Sequence, residues 1–176
     1  ILSDDADQLL KSHRREIVVV FVDLRGFTAF AETAVPEDVS HVLSEYQQEV
    51  GRAALAHEGT LERFTGDGVM IFFNDPVPIP APAQRAVQMA LDVRARLQAL
   101  CARWREIGHE LDFGIGIAQG YATLGAIGFE GRWDYAAIGT VTNLASRLCD
   151  KAEAGQVLIA QRVAHAIEPG APTLLL

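Results

Sequence analysis

Residues 17–28, IVVVFVDLRGFT, decide the fold of this chain. Residues 17–22 form an unbroken apolar run rich in β-branched side chains, too short to cross a membrane, which predicts a central strand buried on both faces. Asp23 follows where this strand leaves the core, and Gly26 precedes a helix that we expect to begin near Thr28. A carboxylate at a strand end beside backbone N–H groups suits a cation that carries phosphates. Because an isolated aspartate here is more often a turn residue, a second carboxylate is needed.

Size and charge limit what the chain can be. Its 176 residues suffice for one domain with a full core, and 49% hydrophobic with 22% charged residues is typical of a globular protein. The net charge of −8 disfavours nucleic acid and anionic membranes as partners, so an anionic substrate would need metal ions or local arginines. Cys101 and Cys149 match no metal-ligand spacing, and no secretion signal or membrane span is visible, which predicts a cytoplasmic domain.

Polarity predicts the domain boundaries. Residues 1–15 are polar and mixed in charge, and we expect them to connect an upstream regulatory domain to the folded domain at residues 16–168. Residues 169–176 are predicted to be a tail. The first residue is Ile1 rather than methionine, so we expect the chain to be part of a longer protein.

Periodicity and turn residues predict the elements of the first half. Pro36 begins a helix that ends at Gly59. Residues 61–73 read as a hairpin around an Asp-Gly turn, and a proline-rich loop follows them. A long amphipathic helix then ends at Gly108.

The second half predicts a strand, an arm and another helix. Apolar residues alternate with Gly114 and Gly116, which predicts a strand that another element approaches closely. Residues 120–131 are predicted to form a second hairpin or an outward arm, and Thr140 or Thr142 to cap the next helix. A short strand and a last helix follow. The order predicts an α+β fold with a ferredoxin-like βαββαβ core, an extra β-arm and C-terminal elements.

Asp67, in the tight turn of the predicted hairpin, is the second carboxylate. In a split βαβ arrangement its strand can neighbour the strand that Asp23 ends, so both side chains could converge on one sheet edge. Hard oxygen ligands suit Mg²⁺ or Mn²⁺, and two such ions about 4 Å apart activate an attacking oxygen and stabilise a leaving one. Asp-Gly in a hairpin is otherwise simply a turn.

Asn143 and Arg147 are four residues apart on the predicted late helix, so they share a face. An arginine aimed at the charge that develops on a reacting phosphoryl group stabilises it. The alternative is a solvated polar face.

Three segments in fixed order carry a resemblance: VVFVDLRGFTAFAE, LERFTGDGVMIFF and WDYAAIGTVTNLASRL. Together they resemble the catalytic domain of class III nucleotidyl cyclases of the bacterial kind, over roughly residues 15–165. The resemblance implies the nucleotidyl cyclase fold and conversion of a nucleoside triphosphate into a 3′,5′-cyclic monophosphate and pyrophosphate. It also implies a head-to-tail homodimer with shared active sites, to whose interface residues 119–135 contribute.

The resemblance also implies roles for individual residues. Asp23 and Asp67 would hold two divalent cations, Mg²⁺ or Mn²⁺, with help from the backbone carbonyl of Leu24. Asn143 would orient the ribose and Arg147 would stabilise the pentavalent phosphorus. The β- and γ-phosphates would be cradled by the loop and helix start that consist of Arg25, Gly26, Phe27 and Thr28.

The base-selecting positions depart from the family pattern. Arg63 stands where adenylate cyclases have a lysine, and Ala136 where they have aspartate or threonine. Arg63 can donate to an adenine ring nitrogen or to guanine O6 and N7, whereas Ala136 offers no side-chain acceptor. The glutamate and cysteine of guanylate cyclases are also missing, so ATP is favoured by default.

Several alternatives remain open at this point. A guanylate or dual-specificity cyclase and a non-catalytic cyclase-like module for dimerisation or nucleotide sensing both fit the departures at Arg63 and Ala136. A diguanylate cyclase is disfavoured because its Gly-Gly-Asp/Glu-Glu-Phe signature is missing. A receiver domain is disfavoured because strands and helices do not alternate regularly.

Overall fold

The computed structural model describes residues 11–167 as one mixed sheet with helices on both faces. The elements are, in chain order, β1 (His13–Arg25), α1 (Phe27–Thr33), α2 (Pro36–Ala56), β2 (Thr60–Thr65), β3 (Gly68–Phe73), α3 (Pro82–Glu106), β4 (Asp112–Phe129), β5 (Arg132–Ile138), α4 (Thr140–Lys151), β6 (Val157–Ile159) and α5 (Gln161–Ala166).

The strand order is β2-β3-β1-β4-β5, and β6 pairs in parallel with β4. Strands β1 to β4 with their two long helices form the predicted ferredoxin-like βαββαβ core, and β5, α4, β6 and α5 are added to it. The predicted fold class is confirmed.

The central position of β1 follows from its sequence. Its apolar run pairs with β3 on one side and β4 on the other, and Val18, Val20 and Val22 are fully buried on the face covered by α2 and α3. Ile17 and Val19 are fully buried on the opposite face, in a second cluster with residues of β3, β4, β5 and α4. A strand buried on both faces requires an unbroken apolar run.

The beginning of β1 corrects one prediction. Residues 13–15 were expected to belong to the connector, but they pair with Leu124, Thr123 and Ala122 of β4. These polar residues carry no strand periodicity, and they join the sheet through pairing with the long strand β4. The predicted tail at residues 169–176 lies outside the described residues, as do residues 1–10.

Strand β4 is continuous over the glycine-rich region. It passes without interruption into the predicted arm, so residues 112–129 are a single strand that turns back into β5. Gly114 and Gly116 allow the predicted close approach, because a Cβ at either position would collide with backbone atoms of α4. Neither Thr140 nor Thr142 caps α4. The N-cap is Gly139, and the Thr142 hydroxyl instead donates to the Gly139 carbonyl at 2.7 Å.

Beyond the core, a buried polar cluster ties the arm to the start of β1. We call His13, Arg15, Asp75 and Tyr135 the Asp75 cluster. Asp75 is 1% exposed, its Oδ2 lies 2.6 Å from His13 Nε2 and 3.2 Å from Arg15 Nη1, and the Tyr135 hydroxyl donates to its Oδ1. Every oxygen of this buried carboxylate therefore has a partner, as a stable interior requires.

Candidate active site

The predicted convergence of Asp23 and Asp67 is observed. Asp23 pairs in register with Gly68, the residue after Asp67, and the Leu24 N–H donates to the Asp67 carbonyl at 3.0 Å. A Cβ at Gly68 would lie 3.5 Å from Asp23 Oδ1. Antiparallel pairing of β1 with β3 thus places both carboxylates at the same end of these two strands, on one edge of the sheet. We call Asp23, Leu24 and Asp67 the acidic edge.

Burial and a like charge act on Asp23 together. Desolvation, then the negative charge of Asp67, raises the pKa of Asp23 from 3.8 to about 6, against an opposing effect of Arg25. The Tyr46 hydroxyl of α2 donates to the Val22 carbonyl at 3.1 Å and fixes the strand end below the carboxylate. A rigidly placed carboxylate whose pKa is raised by burial and by like charges is typical of a functional site.

The donor set fits a hard divalent cation that also takes ligands from a substrate. Within residues 11–167, no group of three or more His, Cys, Asp or Glu side chains is placed to hold a metal. The side-chain oxygen atoms at this edge belong to two carboxylates that repel each other, and the backbone of Leu24 is hydrogen-bonded to that of Asp67 beside them. Mg²⁺ commonly takes one or two protein carboxylates and completes its shell with phosphate and water.

The turn after β1 leads into the start of α1, whose first backbone N–H groups have no side-chain hydrogen-bond partner. Gly26 adopts φ 78°, in the left-handed region, and is the N-cap of α1, which no side-chain hydrogen bond caps. Thr28 is exposed beside it, whereas the Phe27 side chain packs against the core. The Arg25 guanidinium turns away from this loop and donates to the carbonyls of Cys149 and Ala152, the latter at 2.9 Å. Arg25 therefore binds the C-terminal end of α4, and its predicted phosphate contact has no support in this geometry.

Asn143 and Arg147 lie together on the exposed face of α4, as predicted. With Arg14 and Arg162 they line a groove of ≈ 500 Å³ between α4 and β4, which we call the basic groove. Arg162 pairs with Glu16 at 3.0 Å, and Arg14 lies 5.2 Å from the centroid of the Tyr121 ring. In a chain of net charge −8, Arg14 and Arg147, together with the Glu16-paired Arg162, make this groove locally basic.

The acidic edge and the basic groove are separate within one chain. Asp23 pairs with Gly114, whereas Gly120, in the wall of the groove, pairs with Ile17. Six residues of strand correspond to about 20 Å at about 3.3 Å per residue, which is the distance from Asp23 to the Gly120 end of the groove. Helix α4 spans this distance, and its Cys149 end packs over Gly114. The charged groups that shift the pKa of Asp23 include Arg25 but not Arg147. Within one chain the Arg147 guanidinium therefore supplies no neutralising charge to Asp23, and the charged residue of α4 that does act on Asp23, Asp150, repels it.

A bulge in β2 places a third group of residues. Leu61 pairs with Ile71 and Arg63 with Met70, which leaves Glu62 unpaired between them. The Glu62 carboxylate accepts a hydrogen bond from the Ala137 N–H at 3.4 Å. Although β2 and β5 are not neighbours in the strand order, this contact brings Arg63, which follows Glu62, near Ala136, which precedes Ala137. Sequence reasoning missed Glu62. The signal was the spacing LERF, in which two consecutive polar residues separate apolar Leu61 from Phe64 and break the alternation expected of a strand.

The outer part of the arm exposes large apolar side chains. Phe129 is 69% exposed and Trp133 is 61% exposed, both next to the β4–β5 turn. Further exposed apolar residues continue this surface towards α4: Tyr121, Ile127, Ile138 and Leu144. Such a surface marks an interaction site.

Comparison with known proteins agrees with this geometry. The family model described as the adenylate and guanylate cyclase catalytic domain matches residues 10–172. The chain belongs to this family, so the resemblance seen in its sequence is confirmed, and it is a cyclase catalytic domain. The match alone leaves adenylate and guanylate cyclases undistinguished.

Individual relatives carry both names. Adenylate cyclase 1 of Rhizobium meliloti is 38% identical over 136 residues, which cover 77% of this chain and 20% of that protein. The adenylyl cyclase CyaB from P. aeruginosa has a TM-score of 0.85 at 38% identity, covering 89% of this chain and 82% of that one. The guanylyl cyclase Cya2 has a TM-score of 0.84 at 33% identity, covering 88% and 79%. The chain spans less than a third of the length of the curated relatives it matches.

Proposed function

We propose that this domain converts ATP into 3′,5′-cyclic AMP and pyrophosphate with two divalent cations, in a head-to-tail homodimer. The observation that carries the proposal is the convergence of Asp23 and Asp67, two repelling carboxylates held at one strand edge. Mg²⁺ or Mn²⁺ bound there would lower the pKa of the ribose 3′-OH and neutralise charge on the triphosphate.

The remaining roles belong to the chain's own groups. The first N–H groups of α1, after Gly26, have no side-chain cap and follow Asp23 by only a few residues, so they would bind the β- and γ-phosphates next to the acidic edge. Asn143 would orient the ribose by hydrogen bonds, and the Arg147 guanidinium would stabilise the negative charge on the reacting phosphorus. The nucleophile belongs to the substrate, so catalysis consists of positioning and charge stabilisation.

Two observations support the shared active site. The acidic edge and the basic groove are each chemically incomplete, because Asp23 gains no neutralising charge from Arg147 of its own chain and the groove holds no carboxylate pair for a cation. The exposed apolar residues of the arm offer a surface for a second copy, next to α4. A head-to-tail dimer would place the acidic edge of one protomer opposite the basic groove of its partner.

ATP is proposed as the substrate because the relatives at 38% identity are named adenylate or adenylyl cyclases. GTP is the second candidate. The 71% exposed side chain of Arg63 is free to donate to either purine, and the guanylyl cyclase Cya2 is nearly as similar in structure. The predicted upstream regulatory domain and cytoplasmic location stay predictions; within residues 11–167, no helix is long and apolar enough to cross a membrane.

Product identification tests the proposal. Purified protein with Mn²⁺ and an equimolar mixture of ATP and GTP should release cyclic AMP as the main product, detected by chromatography together with pyrophosphate. A main product of cyclic GMP would reassign the substrate. Tight nucleotide binding without pyrophosphate release would instead support the non-catalytic cyclase-like module.

A further inference from the structure

The bulge in β2 turns two consecutive charged side chains to the same face of the sheet. Leu61 and Phe64 both pack against the core under α2 and α3. Strict alternation cannot place Leu61 and Phe64 on one face, because they are three residues apart. The extra residue of the bulge resolves this, and Glu62 and Arg63 both lie on the opposite face, where Ala137 and Met70 are found. Bulges are frequent next to active sites because they redirect side chains in this way.

The Glu62 side chain is largely buried and contacts the residue next to Ala136, which has no polar group of its own. Its side chain is 9% exposed, whereas that of Arg63 is 71% exposed, and Arg63 Nε lies 3.9 Å from Glu62 Oε1. The Ala137 N–H donates to Oε2, which leaves Oε1 without a close donor among the described residues. Burial, opposed by the Ala137 hydrogen bond and the Arg63 charge, raises the pKa of Glu62. A carboxylate that is only 9% exposed and has so few donors would gain from a further N–H group.

We propose that Glu62 accepts a hydrogen bond from the exocyclic amino group of the adenine base and so replaces the acceptor that Ala136 lacks. This inference rests on the proposed function. Arg63, on the same face, is the donor to the adjacent ring nitrogen N1. The Watson–Crick edge of adenine presents one donor next to one acceptor, and the pair Glu62 and Arg63 offers the complementary pattern.

A substrate lacking only the amino group tests the contact. ATP and purine riboside 5′-triphosphate are compared in kcat/KM for wild type and for Glu62→Ala. Wild type should prefer ATP by roughly 10-fold or more, as expected for a hydrogen bond to a charged group. Glu62→Ala should lower kcat/KM for ATP to the level of the analogue and leave the analogue nearly unchanged. An equal loss for both substrates, or for neither, would overturn the proposal, because a purely structural role does not depend on the amino group.

A second variant guards against loss of folding. Glu62→Gln has the same shape, and its amide oxygen can still accept from the Ala137 N–H, which leaves its NH₂ group directed at the amino group of the base. The preference for ATP should therefore also fall in Glu62→Gln. Glu106→Gln, at an exposed position of α3, is the matched control and should keep the wild-type preference. A Glu62→Gln variant with the full preference for ATP would contradict the proposal.

The same comparison in a binding experiment separates this inference from the proposed function. Dissociation constants with Mn²⁺ are measured by calorimetry for 3′-deoxy-ATP and for the matching 3′-deoxy purine riboside triphosphate, neither of which can cyclise. If wild type forms no cyclic nucleotide but Glu62→Gln abolishes the difference in affinity, the proposed function fails and this inference holds. If wild type forms cyclic AMP and the variants leave the preference intact, only this inference fails.

Discussion

Two aspartates lie at opposite ends of β1 in opposite electrostatic surroundings: Asp75, which follows β3, lies beside the beginning of β1, and Asp23 lies near its end. At its beginning, the Asp75 carboxylate is buried, lies within ion-pair distance of His13 and Arg15, and accepts a hydrogen bond from the Tyr135 hydroxyl. At the other end, Asp23 faces Asp67, and the guanidinium of its neighbour Arg25 is directed at carbonyls of α4. The same residue type is thus neutralised at one end of the strand and left without a neutralising contact at the other.

This difference separates a structural carboxylate from a functional one. A buried carboxylate with complete partners holds the arm and the start of β1 together, and it needs no ligand. Two repelling carboxylates destabilise the fold unless a cation binds them, so their presence indicates that binding is what they provide. Substitutions at the two ends should accordingly affect different measurements.

The largest expected effect is on activity at the acidic edge. Asp67→Ala should lower cyclase activity roughly 1000-fold or more, because the site loses a cation ligand that supplies several kcal/mol of charge stabilisation. Its thermal unfolding midpoint without cations should not fall. Activity is measured as cyclic AMP release with Mn²⁺, beside Glu106→Gln as the control. Near-wild-type turnover by Asp67→Ala would contradict the role assigned to this edge.

At the other end, the expected effect is on stability. Asp75→Asn should lower the free energy of unfolding by about 2 kcal/mol, less than for a fully buried pair because His13 and Arg15 are partly exposed. The hydrogen bonds to the Lys11 carbonyl and to Asp75 raise the pKa of His13 above 6.5. The stability from that raised pKa is fully present below pH 6.5 and is lost as the pH rises through the higher value.

Urea unfolding of wild type and Asp75→Asn at pH 6 and pH 9 measures this effect. The difference between the two proteins should be larger at pH 6. Tyr135→Phe, which removes only one hydroxyl from the cluster, should cost about 1 kcal/mol. Equal stability of Asp75→Asn and wild type would show that this carboxylate is not structural.

The smallest expected effect is a gain in the free energy of unfolding, opposite in sign to the loss expected for Asp75→Asn. The pKa of Asp23 is raised from 3.8 to about 6, so this group stabilises the fold below pH 3.8, and its contribution is lost as the pH rises through about 6. Asp23→Asn without cations should therefore stabilise the protein at pH 8 by about 1 kcal/mol, after allowance for partial exposure to solvent. Unfolding in urea with EDTA at pH 8 measures it, and a destabilised variant would mean that Asp23 has a structural partner.

The sequence predicted the elements whose signals are local. The apolar run of β1, the Asp-Gly turn at Asp67 and the shared helix face of Asn143 and Arg147 all depend on neighbouring residues, and the structure contains each of them. These features, with the resemblance they carry, were sufficient to predict the fold and the family.

What the sequence did not predict depends on distant contacts. Residues 13–15 join the sheet because β4 is long enough to pair with them and because His13 and Arg15 contact the distant Asp75. The binding of Arg25 to the end of α4 and of Glu62 to Ala137 spans 124 and 75 residues. No periodicity encodes such contacts, and in the sequence the bulge at Glu62 is indicated only by two adjacent polar residues, Glu62 and Arg63.

Cyclase activity should depend most on the completion of each active site by two chains. Asp67→Ala and Arg147→Ala should each be inactive alone, and mixing them in equal amounts should restore activity. In a head-to-tail dimer, half of the dimers are mixed and each has one intact site, so about a quarter of wild-type activity is expected. Mixtures that stay inactive, although the two variants form mixed dimers, would contradict the shared site.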